Sequence, residues 1–203
     1  MRIIPLFAIC LVGFAIVFAA STTGSTAKPA VHVPTYTEDG RLRLQPDYRE
    51  WVYLSSGLGM SYTPRVANMA DHPMFDNVFV NPEAYRSFVQ TGTWPDGTML
   101  MLEERGAESD ASINKAGHFQ GQGVMGLEVH LKDAARGGWA FYGFDSEAPA
   151  KMIPKEENCY SCHRDHGAVD TTFVQFYPTL MPLAKQKGTL SSEYLKNEPS
   201  TAK

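Results

Sequence analysis

Cys159-Tyr160-Ser161-Cys162-His163 constrains this chain more than any other stretch. Two thiols three positions apart on a helical turn can each add to one vinyl group of a haem. The histidine that follows can then point an imidazole at the iron, which is the pattern of c-type haem attachment. Thioether bonds do not dissociate, so even a small domain can hold the group, and His163 becomes one axial ligand. The same residues admit two other chemistries. A zinc site would use Cys159, Cys162, His163 and His166, but these lack the intervening loop that lets two ligand pairs close a tetrahedron. A dithiol redox pair needs its cysteines at a helix start, and a helix opening at Pro154 puts a turn ahead of them. Haem is therefore the expected cofactor, one group covalently bound as haem c, and the face opposite His163 sets its use.

Residues 1–20 comprise Met1-Arg2 and an apolar run from Ile3 to Ala20, the build of a secretory signal or of an uncleaved N-terminal anchor. Either reading exports the remainder to the periplasm, where haem c is attached, and only the uncleaved form ties it to the inner membrane. Cys10 lies in that run, so the two other cysteines of the chain are those of the motif. A formal net charge of −4 gives no footing for nucleic acid. Residues 21–35 are rich in Ser, Thr, Ala and Pro and read as a flexible linker. A haem domain is expected over 36–186, and the polar residues 187–203 read as a disordered tail.

Within the domain, Pro46-Asp47 opens an expected helix with Tyr48, Trp51 and Val52 at i, i+3 and i+4, stopped by Gly57 and Gly59. Residues 60–74 read as a loop, and Phe75 to Val80 as a strand. Asn81-Pro82 suits the start of a helix that buries Tyr85, Phe88 and Val89 and ends at Gly92. Trp94-Pro95-Asp96-Gly97 is turn chemistry ahead of a strand from Thr98 to Glu103. That strand is apolar on both alternating sets, Leu100 and Leu102 against Met99 and Met101, and so belongs at the centre of a sheet. Arg105 to Gly123 reads as a long surface loop. Val124 to Leu131 alternates, with Met125, Leu127, Val129 and Leu131 inward and Glu128 and His130 outward. Trp139 to Phe144 completes four strands, and an apolar segment from Phe173 to Leu183 follows the motif. The expectation is an α+β fold on a mostly antiparallel β-sheet with helices, carrying covalent c-type haem near the C-terminus.

With these elements in order the chain resembles the cytochrome P-460 family, which includes the β-sheet cytochromes c-prime-beta. The residues that carry the likeness are Tyr48-Arg49-Glu50-Trp51, Asn81-Pro82-Glu83-Ala84-Tyr85, Thr91-Gly92, Asp96-Gly97-Thr98, Lys132-Asp133, Gly138-Trp139-Ala140-Phe141-Tyr142, the haem motif, Asp170 to Phe173, and Phe176-Tyr177-Pro178. The resemblance implies an antiparallel sheet with helices, a homodimer, and a five-coordinate haem open on its distal side. Members that oxidise hydroxylamine carry a lysine bonded to the porphyrin. Counted from Asp96-Gly97-Thr98, that position here is Leu102, which cannot form the bond.

Leu102 implies an apolar distal wall, with Leu100 beside it by alternation and Phe75 or Phe141 as further candidates. Such a wall suits a small uncharged ligand, nitric oxide above all, and no catalytic residue is assigned. His72 and His118 are the loop histidines that could fill the sixth position. Lys115 and Lys132 read as solvated surface charges. The expected function is an exported mono-haem cytochrome binding nitric oxide or a similar small ligand at an open site. The alternatives are an oxidoreductase acting on hydroxylamine or nitrogen oxides, which also needs a proton acceptor near the iron, and plain electron transfer with a redox partner.

Overall fold

The computed structural model describes residues 31–61 and 73–197. Six strands form one antiparallel sheet: β1 (Val52–Leu58), β2 (Met74–Val80), β3 (Met99–Glu108), β4 (Phe119–Gln120), β5 (Gly126–Asp133) and β6 (Gly138–Phe144). Their order is β1-β2-β3-β5-β6, with the short β4 paired to the end of β3. Four α-helices accompany them among the described residues: α1 (Pro82–Thr91), α2 (Asn158–His166), α3 (Met181–Lys187) and α4 (Ser192–Asn197). No helix among the described residues is long and apolar enough to cross a membrane.

β3 is central and buried on both faces, as its double alternation requires. Its odd residues Met99 and Met101 join Val129, Leu131, Ala140, Tyr142 and Phe144 in one core, closed by Leu42, Tyr48, Trp51 and Ala150. Its even residue Leu100 joins Leu54 and Val80 in a second core, closed by Ala84 and Phe88 of α1, by Trp94, and by Val174, Tyr177, Leu180 and Ala184. The register carries this division across the sheet, because Met99 faces Leu131 and Leu131 faces Ala140, so residues of one parity share one face. At the far end of the first core, Glu103 is 3 % exposed. It accepts hydrogen bonds from Tyr48 Oη and Arg105 Nε, and from Arg49 Nη2 at 2.7 Å.

Several elements differ from what the sequence predicts. The helix expected from Pro46 is only a 3-10 turn, Tyr48–Glu50, after which the chain runs as β1. Trp51 and Leu54 are buried as a helix would have them, but cross-strand pairing from Val52↔Val80 to Leu58↔Phe75 outweighs a weak local helical period. β3 continues to Glu108 and β4 pairs with it, so the expected 105–123 loop is partly sheet. The loop read over 60–74 falls mostly on residues outside those described.

Asn81 does not cap α1 with its side chain. Its Oδ1 accepts from Met99 N at 2.9 Å and its Nδ2 donates to Gly97 O at 3.2 Å, which ties the start of α1 to the start of β3. α1 buries Ala84 and Phe88, whereas Val89 is exposed. Upstream, the chain is already anchored at His32, inside the expected linker, where the imidazole meets Asp47 at 3.0 Å and Glu83 at 3.1 Å. Downstream, residues 188–197 of the expected disordered tail fold back: Leu190 and Tyr194 pack on the second core, Ser191 Oγ donates to Gly167 O at 2.7 Å, and Asn197 Nδ2 donates to Asp165 O at 2.8 Å. Two half-buried apolar side chains and a handful of hydrogen bonds hold a segment whose composition is polar.

Candidate haem-binding site

The even face of β3 continues past the second core as a graded floor. Three rungs cross it, read from the strand register. The first is Leu100, His130 and Phe141; the second is Ser55, Val78, Leu102 and Glu128; the third is Gly57, Asp76 and Glu104. Four residues of strand separate the first rung from the third, roughly 13 Å. All these residues line one cavity of about 510 Å³, walled by Met60, Ser61, Met74, His163, Phe173, Phe176 and Tyr177. That volume is in the range of cofactor-sized pockets.

α2 brings the motif to this cavity. The helix starts at Asn158, so both cysteines stand within its first two turns, and Pro154 opens only a non-helical turn ahead of it, closed by Glu157 N on Pro154 O at 3.1 Å. Position in the helix therefore does not separate a dithiol redox pair from haem attachment. Both thiols are free, and burial, then the Asp165 charge and Cys159, push the Cys162 thiol up.

His163 is the best-oriented group of the site. Thr171 O lies 2.8 Å from its Nδ1, and since a carbonyl only accepts, Nδ1 carries the proton and Nε2 keeps its lone pair. Phe173 stacks on the ring at 4.1 Å, with Phe141 edge-on at 4.7 Å and His130 at 4.9 Å. Burial lowers the pKa of His163, which keeps the imidazole neutral as a ligand must be. The approach of Thr171 depends on Gly167: a Cβ there would stand 2.6 Å from His163 O and 2.7 Å from Thr171 C. These donors, thiols and cavity fit a haem, with Cys159, Cys162 and His163 as the residues that would hold it.

Leu100, Leu102 and Phe141 line the cavity; Phe75 does not, because it sits on the other face of β2, out of phase with Asp76 and Val78. His118 is exposed on its loop and not on the cavity wall, and His72 lies outside the described residues. Lys115 is exposed, whereas Lys132 is engaged rather than solvated, donating to Trp94 O at 2.8 Å and pairing with Asp170 at 3.1 Å.

The wall is not uniformly apolar. Asp76, Glu104 and Glu128 all face the cavity, and Glu128 and His130, expected outward, point into it. Glu128 is exposed onto the cavity itself, while His130 is only 7 % exposed. Burial and then the Glu104 charge push Asp76 up to about 6. Burial, then Glu104 and Asp76, raise Glu128 as well. Gly126, opposite Glu104, leaves room for this group: a Cβ there would lie 2.2 Å from Glu104 Oε2. Alternation along β3 from Leu102 to Glu104 was the available signal for one acid. Nothing in the sequence marked Asp76, because it becomes a cavity residue only through its pairing with Glu104.

A sheet floored by such a graded face, with a neutral histidine and two free thiols on a short helix above it, defines a haem-binding α+β protein. The family model for cytochrome P460 matches residues 45–174, well over half of the chain, and the chain belongs to that family. It is a haem-binding cytochrome. No curated protein matches it.

Proposed function

We propose that the protein carries one haem, bound through thioethers at Cys159 and Cys162 with His163 as axial ligand, and converts a small nitrogen compound such as hydroxylamine by proton-coupled oxidation. In this reading the chain is exported, acts as a homodimer as its family likeness implies, and passes electrons to a separate redox partner. Haem, when bound, would supply an iron able to take a small ligand and exchange electrons. The protein's own contribution is distributed along the floor. His163 offers Nε2 with its orientation fixed from behind. Leu100, Leu102 and Val78 exclude bulky or strongly hydrated groups. Glu128 and Asp76 take up released protons.

One observation carries this reading: three carboxylates face the cavity, and burial followed by the neighbouring acidic charges raises Asp76 to about 6 and raises Glu128 as well. A general base works best when its pKa lies near the working pH. Glu103, the acid next to Leu102 in sequence, is on the opposite face and fully engaged.

A second reading rests on Leu102. Without a lysine there, the porphyrin cross-link of the hydroxylamine-oxidising relatives cannot form, which favours binding of nitric oxide without turnover. The test is one preparation of holoprotein with two assays. Hydroxylamine oxidation with an electron acceptor, reduced at least tenfold by Glu128→Gln, supports the first reading. No turnover together with nitric oxide binding to a five-coordinate ferrous haem overturns it in favour of the second. A low-spin six-coordinate haem inert to both ligands overturns both and leaves electron transfer. Absence of haem after denaturation refutes the attachment itself.

A further inference from the structure

The proximal side contains a connection that ligation alone does not require. Thr171 touches two histidines at once: its carbonyl accepts from His163 Nδ1 at 2.8 Å, and its hydroxyl lies 3.2 Å from His130 Nε2. The second contact is a hydrogen bond whichever atom carries the proton. His130 is itself immobilised, stacked on Phe141 at 4.0 Å with an 11° interplanar angle and tilted against Trp139 at 4.3 Å. A buried side chain packed against two aromatic rings in the middle of a strand is a rigid anchor.

The loop bearing Thr171 is fixed from its other side too. Thr172 Oγ1 donates to Val169 O at 2.7 Å and accepts from Trp94 Nε1 at 2.8 Å, both buried. Asp170, with φ of 54°, is held by Lys132 Nζ at 3.1 Å. Lys132 is two residues beyond His130 on the same face of β5, so one strand grips the loop at two points.

We propose that His130 and the Thr171 hydroxyl are positioning residues for His163, a clasp that holds the Thr171 carbonyl on Nδ1 and thereby sets how strongly the imidazole donates to the iron. A firm Nδ1 hydrogen bond gives the ring imidazolate character, raises its basicity as a ligand and favours the ferric state. Loosening the clasp weakens all three.

The inference rests on His163 being the axial ligand, and the experiment separates the two. Thr171→Val keeps the β-branched shape and the carbonyl but removes the hydroxyl; Thr171→Ser keeps the hydroxyl. His130→Phe keeps stacking and removes the hydrogen bond. Each holoprotein is checked for covalent haem and for native circular dichroism. The ferrous iron–histidine stretching frequency is then read by resonance Raman, and the reduction potential by redox titration. The expected result is a lower stretching frequency and a higher potential in Thr171→Val and His130→Phe, with Thr171→Ser close to native. Native values in a folded, haem-loaded Thr171→Val overturn the clasp. If Thr171→Val does not fold, His130→Phe decides by the same two readouts. An iron–histidine band that survives His163→Ala overturns the ligand assignment and the clasp with it.

Discussion

Asp76→Asn tests whether the acidic rung is arranged as described. Asp76 has its pKa raised from 3.8 to about 6, first by burial and then by Glu104 on the neighbouring strand. The folded state therefore holds this proton more tightly than the unfolded chain does. Between about pH 4 and pH 6 the native state binds more protons, so this group's contribution to stability falls as pH rises through that window and stays low above it. For a fully buried carboxyl the rise corresponds to about 3 kcal/mol. Asp76 opens onto the cavity, and screening there reduces the figure to about 1–1.5 kcal/mol. Asparagine has nearly the same shape and cannot ionise. The variant holoprotein is thus expected to be more stable than native by about 1 kcal/mol at pH 7, with the difference vanishing near pH 4. Urea unfolding at both pH values, followed by far-UV circular dichroism, measures this, and subtraction of the two proteins removes most of the contribution of Glu128 and Glu103. A variant less stable than native at pH 7, or a difference independent of pH, refutes the placement of Asp76 against Glu104.

Glu103→Ala leaves Arg105 and the Tyr48 hydroxyl without their shared acceptor and is expected to cost about 3–5 kcal/mol, read as a lowered urea midpoint. Although burial works against it, hydrogen bonds from Arg105, Tyr48 and Arg49 hold Glu103 below the ordinary carboxylate range. Its stabilisation is therefore present at neutral pH and lost as pH falls through its folded pKa, and the variant's acid-unfolding profile should be flatter than native. Gly126→Ala displaces the Glu104 carboxylate at a stability cost of about 1 kcal/mol; its readout is a fall in the Asp76 pKa, followed by infrared titration of the carboxyl band. Truncation after Gly188 removes Leu190 and Tyr194 from the second core and is expected to cost about 2 kcal/mol, with faster proteolysis near α2 as the accompanying sign.

What the sequence made legible was wherever chemistry and periodicity agreed. The double alternation of Met99 to Leu102 placed the central strand, Asn81-Pro82 the start of α1, and five residues named the cofactor that the family carries. The spacing of Tyr48, Trp51 and Val52 misled, because a run that short fits a helical turn as well as a strand entry, and β1 keeps Ser55 and Gly57 small for the cavity rather than for a turn. Glu128 and His130 were correctly assigned to one face. Alternation cannot say whether that face meets water or a cofactor cavity, and polar residues on it read as solvent-exposed. Leu190 and Tyr194 were too sparse to show a pattern, yet two contacts suffice when the rest of the fold is already present.

One strand ties the two sides of the site together. Glu128, His130 and Lys132 occupy alternate positions of β5, so the same face delivers a carboxylate to the cavity wall, an anchor to the loop bearing Thr171 and a cation to its turn. In genetic terms this makes β5 intolerant of frame. A single-codon insertion or deletion inside β5, between Gly126 and Leu127, turns Leu127, Val129 and Leu131 toward the cavity and sends all three polar residues into the opposite core. Substitutions can tune the acid, the anchor or the cation one at a time; changes of length abolish them together. Lineages of this protein are therefore expected to vary β5 in residue identity and to keep its length, while tolerating insertions in the exposed turn that precedes it.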